Sequence, residues 1–246
     1  MAVNNSLAKK PTNTGVVEYE SGNEKVKLSP AMIKQYLVSG GGNVTDSEVM
    51  MFLSLCKFQH LNPFLREAYL IKFGDRDPAT IVVGKDVFTK RARRNPDYVG
   101  KKSGIIVQDA SGQIIDREGT FYIKGVENLL GGWCKVYIKG YEQPEYCSVS
   151  FEEYAGRKGD GSLNKQWATK PATMIRKVAI VHALREAFPE ETAGMYAAEE
   201  IPTANDIVLD DPAATTPIQV PDAAEGPAVF VEPPAPAGDV QAALFG

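Results

Sequence analysis

Two groups of basic residues could do chemistry in this sequence. The first lies between residues 85 and 102, and the second between residues 157 and 185. Clustered cations bind phosphodiesters well, because neutralising the phosphates releases condensed counterions. One cluster alone is typical of a solvated face, but two in one chain indicate a nucleic-acid surface. The cations that we take as candidate DNA ligands are Lys90, Arg91, Arg93, Arg94, Lys101, Lys102, Lys170, Arg176, Lys177 and Arg185.

A segment that interleaves aromatic and basic residues extends this surface. Side chains alternate across a strand, so one face of the strand predicted at 133–139 should consist of Trp133, Lys135, Tyr137 and Lys139. Tyr122 and Lys124 of the preceding strand could add to it. Such a face lets bases stack on rings while cations neutralise phosphates. The alternative is that Trp133 and Tyr137 cover a helix or a neighbouring subunit.

Catalytic and metal-binding patterns are absent from the sequence. There is no Walker-type loop, and neither His60 nor His182 has a Ser or Cys neighbour that suggests a triad. The three cysteines and two histidines lack zinc-ligand spacing. Asp75 and Asp77 invite a metal-site interpretation, but Gly, Asp and Pro are also what a tight turn requires. We expect no enzyme activity, no metal and no cofactor.

The net charge of −4 conceals a division of the chain. Residues 1–185 carry all 27 basic residues and 19 of the 31 acidic ones, whereas residues 186–246 carry twelve acidic residues and no Lys or Arg. Nine of the sixteen prolines also lie in this second part. We therefore predict a basic body, a disordered acidic Pro/Ala-rich tail over residues 201–246 and a flexible N-terminal arm over residues 1–27.

Composition also limits the cellular compartment in which the protein is expected to act. No apolar run approaches the length of a membrane helix, and Met1–Lys10 has no apolar stretch typical of a secretory signal. Three widely spaced cysteines argue against a disulfide framework and favour a reducing compartment.

The periodicity of the sequence predicts an α+β fold. We expect strands at 67–73, 80–83, 104–109, 113–124, 133–139 and 145–150, the last four as a small antiparallel meander packed with helices. Glycine runs at 39–43 and 131–132 are interpreted as a flexible connector and a loop. Helices are predicted from Ser29-Pro30 to about 38, from a Thr45–Glu48 capping box to about 60, at 85–95, at 150–154, and as a long C-terminal helix from Pro171.

The long helix carries apolar residues around most of its circumference, so it should be buried on several sides. Arg176, Lys177 and Arg185 interrupt this pattern. Cations in a mostly buried helix need carboxylate or phosphate partners. The backbone amides at the Pro171 end would also favour a phosphate.

Several motifs together resemble the phage RecT/Bet (Red-beta-like) single-strand annealing proteins. They are Asn62–Tyr69, Val83–Asp86, and Trp167 followed by Pro171, Met174, Arg176, Arg185 and Phe188. The resemblance covers about residues 30–200 and implies a domain over 28–200 that binds single-stranded DNA and forms oligomeric rings or filaments. It also implies ATP-independent annealing of complementary strands in phage homologous recombination, through an annealed duplex intermediate.

The same resemblance implies partners and a location. A phage 5′–3′ exonuclease would supply the strands, a host single-strand-binding protein could take part, and the bacterial cytoplasm would be the site of action. Arg176 and Arg185 match basic family positions. Ala172 and Thr173 stand where some members have basic residues, so Lys170 and Lys177 would compensate.

Two other functional classes remain open at this point. An oligomerising structural protein could use the basic clusters for subunit packing. A metal-dependent nuclease would need Asp75, Asp77 and Asp86 to converge.

Overall fold

The helices and strands of this chain are mostly short, and they extend from residue 17 to residue 192. The structure is a computed structural model, and it describes residues 15–197 and residue 200. The strands are β1 (Val17–Ser21), β2 (Glu24–Leu28), β3 (Val38–Ser39), β4 (Ala68–Ile71), β5 (Thr80–Val83), β6 (Tyr98–Gln108), β7 (Ile114–Glu118), β8 (Asn128–Ile138) and β9 (Glu145–Ser150). The α-helices are α1 (Pro30–Met32, continued by a wider turn at Ile33–Leu37), α2 (Asp46–Phe58), α3 (Lys85–Ala92), α4 (Phe151–Tyr154), α5 (Lys165–Thr169), α6 (Pro171–Ala187) and α7 (Pro189–Thr192), and a short 3-10 helix spans Pro63–Leu65. This mixture of helices and antiparallel sheets confirms the α+β class.

The first two strands form an antiparallel hairpin. Tyr19 of β1 is buried, and its hydroxyl donates a 2.7 Å hydrogen bond to the Leu61 carbonyl. The prediction of a loosely held arm over residues 1–27 is therefore wrong for residues 17–27, because side chains of both strands join the hydrophobic core. Residues 1–14 lie outside the described part of the chain.

The glycine run after α1 packs against the end of β4 and is not the flexible connector that the sequence suggested. Strand β3 runs parallel to β4, and the Gly42 N–H donates a 3.0 Å hydrogen bond to the Lys72 carbonyl. Gly40 has φ +96°, and a Cβ there would lie 2.2 Å from the same carbonyl oxygen. Glycine is required at this position because no side chain fits.

Helix α2 begins with the predicted capping box. The Glu48 N–H donates to Thr45 Oγ1 at 3.3 Å, while the Glu48 carboxylate accepts from the Thr45 N–H at 2.7 Å. That carboxylate also lies 2.9 Å from Lys72 Nζ and accepts from the Ala79 N–H at 2.8 Å. Glu48 thus joins α2 to the β4–β5 hairpin. The predicted apolar stripe of the helix is buried as Val49, Phe52, Leu53 and Cys56.

A four-stranded antiparallel sheet has the order β7-β6-β8-β9. Strand β8 thus pairs with β6, whereas a simple meander would pair it with β7, and residues 119–127 connect the two sides of β6. Gly131 and Gly132, predicted as a loop, lie inside β8. A Cβ on Gly132 would lie 2.7 Å from the Ile175 carbonyl oxygen, so this glycine lets α6 approach the sheet closely.

Strand β6 begins earlier than predicted and is flanked on both sides over only part of its length. Strand β8 pairs along it from Tyr98 to Gln108, whereas β7 pairs only with Gly104–Gln108. Within the described residues, the segment 98–102 therefore has a strand partner on one side alone. This open stretch of sheet edge forms one wall of the candidate site.

Helix α6 starts at Pro171 as predicted and is buried around most of its circumference. One side packs on β8, β9 and β6, and other sides meet α3, α5 and α7. Trp167 of α5 is fully buried, with its ring 5.6 Å from that of Phe151. The core of the molecule therefore surrounds α6, and Arg176 of this helix is held against strand β6 by its hydrogen bond to Ser103.

The last described residues are fastened to α6 and β5. The Val83 N–H donates a 2.8 Å hydrogen bond to the Tyr196 carbonyl, and Arg185 Nη2 donates to the Glu200 carboxylate. The second carboxylate oxygen of Glu200 lies 3.0 Å from His182 Nε2. The predicted disordered tail, residues 201–246, lies outside the described residues.

In the part of the chain that the structure describes, we find no helix with the length and apolar character needed to cross a membrane.

Candidate nucleic-acid interface

A cleft of about 380 Å³ opens beside the unflanked beginning of β6. We call it the basic cleft, and its lining residues are Arg93, Tyr98, Val99, Gly100, Lys101, Lys102, Ser103, Glu118 and Arg176. The residue after α3, the start of β6 and the middle of α6 all contribute cations to it. Four cations face one carboxylate, so the charges that line the cleft are mostly positive.

Arg176 is held in the basic cleft by a hydrogen bond to the sheet. Its Nε donates to Ser103 Oγ at 3.0 Å. Ser103 is buried on β6, directly opposite Cys134 of β8. A guanidinium carries five N–H donors in a fixed plane. A bond at Nε therefore fixes that plane while the terminal nitrogens keep donors that suit a phosphate.

Lys101 is crowded by other positive charges. Its Nζ donates a 3.1 Å hydrogen bond to Thr89 Oγ1. Burial lowers the pKa of the Lys101 ammonium, and the charges of Lys85 and Arg93 lower it further. A bound anion would compensate for both effects, since it offsets the lost hydration and screens the repulsion.

The carboxylates near the cleft are already paired with cations. Asp86 lies 2.5 Å from Lys85 Nζ. Burial opposes its ionisation, yet the ammonium groups of Lys85, Lys177 and Lys101 hold the pKa of Asp86 below its usual value. Glu118 lies 3.9 Å from Lys102 Nζ, and both side chains are more than half exposed, so their pairing is weak. The carboxylates thus neutralise only part of the positive charge.

A second recess of about 230 Å³ lies at the start of α6. We call it the α6 recess, and it is lined by Thr120, Tyr122, Lys124, Thr169, Lys170, Pro171, Ala172 and Thr173. Thr173 precedes Arg176 by three residues, which is about one helical turn, or about 5 Å along the axis. The α6 recess and the basic cleft therefore follow one another along the same helix.

The aromatic and basic residues of β8 occupy a separate face. Cys134 and Val136 are fully buried on the side of α6, as alternation predicts, while Lys135 and Tyr137 are half-buried and Lys139 is exposed. None of Trp133, Lys135, Tyr137 and Lys139 lines the basic cleft or the α6 recess.

Trp133 packs within that face. Its side chain is only 6% exposed. Lys135 Nζ lies 5.6 Å from the Trp133 ring centroid and 5.5 Å from that of Tyr146. The ammonium group thus lies over the indole that the sequence suggested for base stacking, and a base could stack there only if Lys135 moved.

Three predicted cations on or after α3 lie outside the basic cleft. Lys90 pairs with Glu67 at 2.6 Å. The Arg91 guanidinium donates to the Gln59 carbonyl, and burial lowers its pKa. Arg94 is exposed beyond the end of α3. Lys90 and Arg91 thus have partners within the protein that the sequence did not reveal.

Arg185 is also engaged within the protein. It donates to the carboxylate of Glu200, and its guanidinium lies 5.1 Å from the ring centroid of Tyr196 and 5.9 Å from that of Phe88. Lys177 lies near Asp86, next to the basic cleft. We therefore leave Arg185 out of the proposed surface and keep Lys177 at its margin.

Ser103 is a functional candidate that the sequence reasoning missed. A serine in a strand gives no pattern that marks it. Its importance follows only from the register of β6 and the position of α6, which bring its hydroxyl to Arg176.

The structure also bears on the acidic residues proposed for a nuclease. The Asp75 carboxylate accepts hydrogen bonds from the N–H and side-chain amide of Asn43, whereas Asp86 pairs with Lys85 on α3. Across residues 15–197 and 200, no three His, Cys, Asp or Glu side chains are grouped so that they could hold a metal ion.

Comparisons with known proteins place the chain in a family. The model of the RecT family matches residues 25–212, which is most of the chain and includes both recesses. An uncharacterized protein of Ureaplasma parvum serovar 3 is 29% identical over 140 residues. The match covers 56% of this chain and 53% of that protein, so the chain spans about half the length of this curated relative.

Proposed function

This chain belongs to the RecT family, and on that premise we propose that it binds single-stranded DNA and anneals complementary strands in homologous recombination. The observation that carries the proposal is the convergence of four cations on the basic cleft: Arg93, Lys101, Lys102 and Arg176. Annealing forms base pairs and makes no covalent bond. The proposal therefore assigns no catalytic residue and no ATP requirement.

The proposed DNA path runs along the first half of α6. The strand would enter over Lys124 and Lys170 and continue past Arg176 to Lys101. Because the two recesses are about one helical turn apart, one phosphodiester backbone can contact both. Tyr122 lines the α6 recess and offers a ring on which a base can stack. Phosphates held in this way leave base edges exposed to a second strand.

Assembly of several copies belongs to the same proposal. Copies arranged as a ring or filament would join their basic clefts into one groove and align long strands. The strands would come from a phage 5′–3′ exonuclease in the cytoplasm of a bacterial host, with a host single-strand-binding protein as a further partner. Lys135, Tyr137 and Lys139 are proposed as an outer contact for the duplex intermediate.

The test is strand pairing by two complementary fluorescent oligonucleotides. We expect Arg176→Ala combined with Lys101→Ala to slow annealing about tenfold or more and to weaken binding equally for all sequences, because phosphate contacts carry no sequence information. A matched control is Lys25→Ala with Lys57→Ala, which removes the same charge from exposed residues that do not line the basic cleft. Annealing by the cleft variant at the wild-type rate would refute the proposal.

The same experiment separates the other functional classes. A structural protein that uses its basic residues for packing would assemble but bind no DNA. A metal-dependent nuclease would shorten the oligonucleotides when magnesium is added.

A further inference from the structure

We propose that the acidic segment 201–246 of the same chain occupies the basic cleft when no DNA is bound and competes with DNA for it. The inference rests on the proposed function, because it assigns a regulator to the cleft that would hold the DNA. It gives the acidic part of the sequence a role in DNA binding.

Charge complementarity is the first observation. The segment contains no Lys or Arg, and its acidic residues are Asp206, Asp210, Asp211, Asp222, Glu225, Glu232 and Asp239. The basic cleft presents four cations against Glu118. Carboxylates and phosphates accept the same charge-assisted hydrogen bonds from lysine and arginine. The segment can therefore replace DNA at the groups that would bind it.

The point of attachment is the second observation. Glu200, next to the segment, is held on α6 by Arg185. Burial opposes the ionisation of Glu200, but hydrogen bonds from His182 and Arg185 keep its pKa at about 2. The carboxylate is thus charged at neutral pH, and the segment starts from a fixed point on the same helix that carries Arg176.

The distance to the cleft is short enough for the segment. Arg176 and Arg185 are nine residues apart on α6, which is about 14 Å along the axis at 1.5 Å per residue, and they lie on opposite sides of the helix. Ten residues of extended chain from Glu200 to Asp210 cover about 33 Å at 3.3 Å per residue, which is enough to pass around a helix about 10 Å wide. Asp210 and Asp211 can therefore reach the cleft without any movement of the folded part.

A tethered competitor need not bind strongly. The covalent connection keeps the segment at an effective concentration of about 1 mM near the cleft, so even a contact of about 100 µM affinity would lower DNA affinity about tenfold. A long DNA strand that reaches several clefts would still displace the segment. The competition would therefore favour long single strands over short oligonucleotides.

The experiment compares the full chain, a chain ending at Glu200, and a full chain whose seven acids are replaced by their amides (Asp→Asn and Glu→Gln at 206, 210, 211, 222, 225, 232 and 239). Binding to a labelled oligothymidylate is measured by fluorescence anisotropy over a range of salt concentrations. We expect both altered proteins to bind about tenfold more tightly than the full chain at low salt. The difference should shrink as salt rises, because salt screens the contact of segment and cleft. The amide variant keeps the full length of the chain, so comparing it with the chain ending at Glu200 separates the effect of removing the charges from the effect of removing the segment.

The site of contact has its own test. A synthetic peptide of residues 201–246 should bind the chain ending at Glu200, and Lys101→Ala with Lys102→Ala should weaken that binding at least threefold. If the peptide binds the chain ending at Glu200 equally well with and without the two lysine substitutions, the segment contacts a surface other than the cleft. That result would overturn the inference.

The outcomes distinguish the inference from the proposed function. If all three forms bind DNA with equal affinity, the proposed function stands, but the segment does not compete with DNA for the cleft. The segment then becomes a candidate for docking a partner protein. If none binds DNA, the proposed function fails and the inference fails with it.

Discussion

The hydroxyl of Ser103 shows how a single buried residue can set the affinity of the proposed site. It accepts the Nε hydrogen bond of Arg176 and so aims the guanidinium into the basic cleft. Ser103 is a positioning residue, since the ligand would contact Arg176 and not Ser103 itself.

We expect Ser103→Ala to weaken binding of single-stranded DNA about fivefold, because a typical hydrogen bond contributes about 1 kcal/mol and this one acts only through the orientation of Arg176. The number of cations is unchanged, so the dependence of affinity on salt should keep the slope of the wild type. Ser103→Thr should restore affinity, and Ser148→Ala, at an exposed serine of β9, is the control. An unchanged DNA affinity in Ser103→Ala would remove this residue from the site.

Glu48 gives a prediction on pH. Hydrogen bonds from the Thr45 N–H, from Lys72 and from the Ala79 N–H lower the pKa of its carboxyl from 4.5 to about 2. A lowered pKa stabilises the fold fully above the ordinary value of 4.5, and that contribution is lost as pH falls toward 2. Glu48→Gln should therefore reduce the free energy of unfolding by about 2 kcal/mol at pH 7. The difference in the free energy of unfolding between the wild type and Glu48→Gln should narrow as the pH falls from 4.5 to 3.

Denaturant unfolding at several pH values measures that difference. Glu153→Gln removes an exposed carboxylate of α4 and serves as the control. If the difference in the free energy of unfolding stays constant down to pH 3, the charge of Glu48 is not what stabilises the fold.

Single residues were the hardest feature to predict from the sequence. The basic character of the cleft could be inferred from the two clusters. The partners of Lys90, Arg91 and Arg185 could not, because Glu67, Gln59 and Glu200 meet these cations only through tertiary contacts. Charge composition therefore indicated the ligand class, whereas packing selected the cations that line the cleft.

At the scale of elements, the approach of α6 to β8 places Arg176 beside the sheet. Gly132 permits that approach, since a Cβ would lie 2.7 Å from the Ile175 carbonyl oxygen and 3.3 Å from the Arg176 nitrogen. The helix and strand must separate if any side chain is introduced there.

Gly132→Ala should lower the free energy of unfolding by about 2 kcal/mol, because a close-packed interface has no space for a further methyl group. Denaturant unfolding measures this loss. Gly159→Ala is the control, as a Cβ there meets nothing within 4 Å. Equal stability of the two variants would contradict the role of Gly132.

Elements with strong local signals were predicted well. Helix α2 has a capping box and a regular apolar stripe, and α6 begins at a proline. The β1–β2 hairpin was missed because five of its residues are exposed and charged: Glu18, Glu20, Glu24, Lys25 and Lys27. Its burial depends on Tyr19 and on contacts with residues more than 30 positions away, which local pattern does not report.

At the scale of the whole molecule, the dependence of DNA affinity on salt should report how many cations take part. For single strands, the logarithm of the binding constant falls with the logarithm of salt concentration by about 0.7 per neutralised phosphate. We expect Arg93→Ala to reduce this slope by about 0.7. Lys90→Ala should leave it unchanged, because Lys90 lies outside the cleft and pairs with Glu67. Anisotropy titrations at four or more salt concentrations measure the slope for each variant. Equal slopes for the two variants would contradict the assignment of the basic cleft as the DNA-binding site.

The open edge of β6 has a consequence for solubility. Backbone groups of residues 99–102 that face away from β8 could pair with an extended chain. Exposed edges of this kind lead to aggregation unless charged side chains, especially lysines, discourage it. Lys101 and Lys102 stand on this edge. The charges proposed to hold DNA would thus also keep the free protein from precipitating through strand pairing, so both properties constrain the same two positions.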